Sequence, residues 1–190
     1  MPMFGTRFEL AFARTTALPG ALLAAPFHAP HAVGGSGTVT QIAKIRIGAA
    51  PPAIFALLDP SAAANRWCLR GQTVEIVAAR HFRLIESPES DRPFSLTVTK
   101  SLPPSRMAYR CSPEDGQPIG AVLSSASVYE IAPLGRGASV TLEETTEFIS
   151  GLTRGSFAFH ALAMRNSMRI DLLRLKFEAE EGRDADARAA

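Results

Sequence analysis

Two serines, two tyrosines and a glutamate have the types and spacing to hold, or to act on, a greasy molecule with a polar end. Ser125, Ser127 and Tyr129 recur at every second residue, as do Val140, Leu142, Glu144 and Thr146. Alternate residues of a strand share a face, so each set puts hydroxyls or a carboxylate beside large apolar side chains. A polar atom buried on such a face costs free energy unless it is paired. With the phenol of Tyr109, these groups would fix the polar end of an otherwise apolar ligand. Glu144 is the one weak catalytic candidate, because desolvation without a cation nearby would raise its pKa and make it an acid or base. Two other roles compete for it: pairing with an arginine at the rim, or displacement beyond a β-bulge.

Other chemistries find no footing. Gly135-Arg136-Gly137 lacks the third glycine of a dinucleotide loop and stands between two strand-like runs, where a hairpin turn is the better account. His28, His31, His81 and His160 show no spacing that puts two on one helix face, so no metal site is expected. No serine is framed as a nucleophile elbow, and no cofactor is expected. Cys68 and Cys111 have neither metal-ligand spacing nor the density of a disulfide scaffold, and read as buried thiols in a reducing compartment. A bridge between them would need the fold to bring them together.

The elements that must position the polar set come next. The chain has 190 residues, enough for one domain with a real core. Its net charge of +2 is scattered rather than clustered, which argues against nucleic acid. No apolar run approaches the roughly 18 residues that span a bilayer. Residues 1–37 form an Ala-, Pro- and Gly-rich extension ending in Gly34-Gly35-Ser36-Gly37, flexible or docked on the domain. The domain proper is 38–180, and 181–190 reads as a disordered tail. A cytoplasmic protein is expected, or an exported one if residues 1–32 are a signal peptide. Pro19, Gly20 and Pro26 break the apolar stretch of such a leader, and Glu9 sits where it should be basic.

Within the domain, Val39 to Ile47 suits a strand at the edge of the core, with Ile42, Ile45 and Ile47 as its apolar residues. Pro51-Pro52 starts a short helix to Leu58, and Asp59 can cap a second one from Ser61 to Trp67. Strand-like runs follow at 72–78, 80–87, 94–101, 106–112, 120–132 and 138–149, separated by turn signals. Ser156 to Glu180 is a long helical pattern without Gly or Pro. A sheet of short strands followed by such a helix gives an α+β class, with the helix laid across one face of an antiparallel sheet.

This order resembles the helix-grip fold of the SRPBCC superfamily, which includes START-like, polyketide cyclase/dehydrase-like and birch-pollen-allergen-like proteins. The likeness rests on Ala49-Ala50-Pro51-Pro52-Ala53-Ile54-Phe55, Trp67, Arg80-His81-Phe82-Arg83-Leu84, Pro103 to Arg110, and the hairpin Tyr129 to Leu142 around Gly135 and Gly137. The resemblance implies a curved sheet gripping the helix over a hydrophobic cavity. Alternation then turns inward Phe82, Leu84, Phe94, Leu96, Val98, Met107, Tyr109, Tyr129, Ile131, Val140 and Leu142, with Ser125, Ser127 and Glu144 as the polar members. Phe157, Met164 and Met168 would line the cavity from the helix, and Trp67 would close its corner.

The implied function is binding or transport of a hydrophobic small molecule such as a lipid, a sterol-like or an aromatic compound. A polyketide cyclase or dehydratase using a cavity acid-base group is the alternative, and a ligand-free protein-interaction module a further one. The long helix raises a separate question. Phe157, Ala161, Met164, Met168, Leu172 and Leu175 form one stripe, and Phe159, Leu162, Ile170, Leu173 and Phe177 a second on the opposite side. The sheet covers one stripe only. The extension, or a second copy in a homodimer, must cover the other; the tethered extension is favoured.

Overall fold

The computed structural model describes residues 37–61, 73–85 and 92–189, with the backbone alone for 182–189. Trp67, Cys68, the second short helix and most of the N-terminal extension lie outside the described residues. Seven strands build one curved antiparallel sheet: β1 (Thr38–Ile47), β2 (Thr73–Ala78), β3 (His81–Ile85), β4 (Phe94–Leu102), β5 (Arg106–Pro113), β6 (Val122–Leu134) and β7 (Gly137–Phe148). Their order is β1-β7-β6-β5-β4-β3-β2, so β2 to β7 form a meander and the first strand closes on the last. Two helices are described, α1 (Pro51–Leu57) and α2 (Arg154–Ala189).

Local chemistry explains the joints. Pro51 and Pro52 occupy the first helical positions of α1, where a missing N–H costs nothing, and the Ala50 carbonyl accepts from Ala53 and Ile54. Asp59 accepts from the backbone N–H and the hydroxyl of Ser61, as a residue that ends one helix and starts the next segment does. Between β6 and β7 the turn is Gly135-Arg136, with Gly135 at φ +61° and Leu134 opposite Gly137. Positive φ at the first central residue alone is the pattern of a II′ hairpin, whose twist matches that of the strands.

Helix α2 packs chiefly on β1, and also meets β7 and α1. Ala161, Met164, Met168, Leu172, Leu175 and Ala179 are its buried stripe, recurring at three and four residues as expected. Two side-chain bonds pin it: Gln41 Nε2 donates to the Ala161 carbonyl (2.6 Å), and Glu180 accepts from the Gly48 N–H (2.7 Å). The helix continues to Ala189, past the end of the apolar pattern near 180. Residues 181–189 hold three Ala and two Arg, good helix formers that need no core to pack on, alongside Gly182 and two Asp that are poorer ones.

One strand differs in phase from its sequence reading. Ile42 is 64% exposed, because β1 buries Val39 and Ile47 and turns Gln41, Ala43 and Ile45 inward with them. Choosing apolar residues irrespective of parity had mixed the two faces of this strand. It is an edge strand, as expected, but its inward set contains Gln41.

Candidate functional site

The inner face of the sheet carries a polar belt between two apolar clusters. Strand register places Gln41 opposite Glu144, Glu144 opposite Ser127, and Ser127 opposite Tyr109. One step along, Val39 lies opposite Thr146, Thr146 opposite Ser125, and Ser125 opposite Cys111. On one side of the belt Val39, Ala121, Phe148, Ala161 and Met164 pack together, with Phe157 half-buried against them. On the other lies the main core, which includes Leu58, Leu84, Leu142, Met168, Leu172 and Leu175. A polar row dividing an apolar face is what alternation alone leaves when Ser, Glu and Thr take positions otherwise held by large aliphatics.

Most sequence-derived lining residues share this face. Phe82, Leu84, Phe94, Leu96, Val98, Met107, Tyr129 and Leu142 are buried in the main core, and Tyr109 packs against it. Met168 joins them, whereas Phe157 and Met164 belong to the smaller cluster beyond the belt. Ser125, Ser127 and Glu144 are half-buried. The β-bulge that would have displaced Glu144 lies elsewhere: the β6–β7 register shifts only between Val122 and Ser124, and from Ser124 to Leu134 it is continuous. Gln41 is the member that sequence reasoning missed, and the parity of Val39, Ala43, Ile45 and Ile47 was the signal that could have found it.

Two details set the chemistry. The Tyr109 hydroxyl donates to the Leu58 carbonyl just past α1, so its proton is committed to holding that helix on the sheet. Its ring meets Tyr129 edge-on, with centroids 5.9 Å apart. Gln41 Oε1 and Thr146 Oγ1 are buried without a hydrogen-bond partner, and they are diagonal neighbours across β1 and β7. Unpaired acceptors of this kind are uncommon in folded proteins and mark places where a water or a ligand group is at home.

Under α2 the groove is filled by Met168, Leu172 and Leu175, each at most 2% exposed. A void of about 10 Å3 lies farther along the sheet, among Phe94, Cys111, Pro113, Ile119, Val122 and Ser125. That is room for about one water, whereas small-molecule pockets start near 300 Å3. Long unbranched and γ-branched side chains on this part of the helix join the sheet residues in one packed cluster.

His81 lies on the outer face beside Ser95 and Thr97, and His160 beside the ring of Phe148, with centroids 5.7 Å apart. Burial lowers the pKa of His160 below the usual imidazole value. Among the described residues no helix is long and apolar enough to cross a membrane.

No protein-family model matches the chain, and no curated protein matches its sequence. Solved structures do. Ara h 8.0201 superposes with a TM-score of 0.56 at 10% identity, over 75% of this chain and 98% of that one. An uncharacterised protein from Rhizobium leguminosarum gives 0.55 at 13%, over 79% and 99%. The di-domain ARO/CYC protein BexL, from the BE-7585A biosynthetic pathway, gives 0.54 at 15%, over 75% of this chain and 50% of that one. Sheet order, the helix laid across it and these superpositions together establish that the chain has the helix-grip fold.

Proposed function

We propose that the protein binds a hydrophobic small molecule carrying one hydrogen-bonding group, such as a lipid or an aromatic compound, on the inner face of its sheet. The observation that carries this reading is the belt: half-buried Ser125, Ser127 and Glu144 interrupt a face that is otherwise apolar and buried. A solid core gains nothing from unpaired polar atoms such as Gln41 Oε1 and Thr146 Oγ1 beside that belt, since each must be desolvated. A ligand's polar end recovers that cost, and the apolar flanks on either side take its body. At the small void a ligand is admitted by displacement of the side chains beside Ser125.

Structural neighbours of this fold include an ARO/CYC protein, which keeps a proton-transfer role in view. Tyr109 is a poor proton donor while it holds Leu58, so such a role falls to Glu144. Binding needs no such step and explains the belt without it.

Native mass spectrometry of the full chain purified from cells, followed by titration with a fatty acid and with an anilinonaphthalene sulfonate dye, tests the reading. A bound or titratable apolar ligand is expected. Ser127→Ala and Glu144→Gln should each weaken it by about three- to tenfold, the equivalent of one hydrogen bond. Saturable binding left unchanged by both substitutions, or no binding of either probe, overturns it.

A further inference from the structure

The side of α2 that faces away from the sheet is as apolar as a buried one. Phe159, Leu162, Leu173 and Phe177 are 59%, 47%, 57% and 58% exposed, with Ile170 half-buried among them. They recur at helical spacing over about 27 Å, as two groups, Phe159 with Leu162 and Ile170 with Leu173 and Phe177, with Asn166 between them. Soluble monomers seldom leave such a stripe uncovered.

We infer that the residues before Gly37 are the cover: the N-terminal segment of the same chain lies along this stripe. The first described residue fixes where that segment leaves the domain. Gly37 sits at the first turn of α2, so close that a Cβ there would stand 2.8 Å from Phe157 Cε2, and its carbonyl accepts from the Phe148 N–H (2.9 Å). The chain therefore departs at the N-terminal end of α2 on its sheet-facing side, where Phe157 packs, and has to round the helix to reach the stripe. Thirty-six residues precede it, with a coil reach of about 33 Å, enough to follow the stripe from end to end.

Their sequence fits the surface. Phe4, Phe8 and Phe12 recur every four residues, the spacing of one helical face, and Leu18, Leu22 and Phe27 form a second apolar block nearer Gly37.

Area decides between this cover and a second copy. The four exposed side chains offer roughly 400 Å2, from the size of Phe and Leu side chains. A stable dimer buries about 800 Å2 on each partner. A patch half that size suits a tethered segment, whose effective concentration is about millimolar without any partner.

The experiment keeps the full chain and combines two sets of substitutions. Phe4→Ser/Phe8→Ser/Phe12→Ser should uncover the stripe, raising apolar-dye fluorescence several-fold and lowering Tm by about 2–4 °C or more. Leu173→Ser/Phe177→Ser, at exposed positions, should remove most of that dye signal when added to the triple variant. The two sets should also be non-additive in Tm, as groups in contact are. Dye binding and Tm that do not change in the triple variant overturn the inference. So does a full chain that sediments as a dimer and becomes monomeric with Leu173→Ser/Phe177→Ser but not with the triple variant, because the cover is then a second copy. Dye bound at the inner face is recognised by its loss in Ser127→Ala and Glu144→Gln, whereas Tm coupling and sedimentation do not involve that face, so failure here leaves the ligand reading standing, and the reverse also holds.

Discussion

At the scale of single residues, the phenol of Tyr109 shows how a group picked for chemistry turns out to hold the fold. Its bond to the Leu58 carbonyl is made where Leu58 is fully buried, so removing it strands an acceptor away from water. Tyr109→Phe is expected to cost about 1–2 kcal/mol in urea unfolding, with the ring contact to Tyr129 kept. An unchanged midpoint would mean that water replaces the bond. His160 makes a statement about pH. Burial depresses its pKa in the folded chain below its unfolded value, so the unfolded state takes up a proton first as pH falls. Its contribution is complete above about pH 6.5, declines as pH drops below that, and levels off once the folded imidazole also protonates. His160→Gln should therefore flatten the loss of urea midpoint between about pH 7.5 and 5.5. A variant with the same slope as the parent would show that other groups carry it.

Among the elements, strands with strict alternation were readable and strands without it were not. Phe94, Leu96 and Val98 against Ser95 and Thr97 gave both faces of β4, and Met107, Tyr109 and Cys111 did so for β5. In β1 the apolar residues fall on both parities, so Gln41 was lost and Ile42 misplaced; only the pairing with β7 settles the phase. The helix stripe was legible because its period is long and unbroken, whereas the end of α2 was not, since propensity without apolar residues leaves no period to read. How the groove under α2 is filled was not legible either: packing between Met168, Leu172 and the sheet depends on how closely the elements approach, and periodicity does not encode that distance. One hairpin carries a sharp test. A Cβ on Gly137 would overlap the backbone carbonyl of Ile47, where the β6–β7 turn passes the end of β1. Gly137→Ala should destabilise the protein by about 1–3 kcal/mol, as overpacking against backbone does. A neutral result would show that the end of β1 can move aside.

For the molecule as a whole, the sequence order of elements was enough to name the architecture, and the sheet topology agrees with it. The same topology has a consequence for how the chain is born. β1 is made before the other described strands, yet among the described residues its only strand neighbour is β7, about a hundred residues later. At about 5–20 residues per second, translation leaves β1 without that neighbour for roughly 5–20 s. Throughout that interval Ile42, Ile45 and Ile47 are apolar surface on an open strand, while the β2 to β6 meander can already pair with itself. Closing the sheet is then one late event that joins the two ends of the domain, and α2 can settle on β1 only afterwards. A nascent chain stalled before Gly137 is thus a natural client for a holdase chaperone, and its first strand is the part such a chaperone must keep from finding a neighbour on another ribosome.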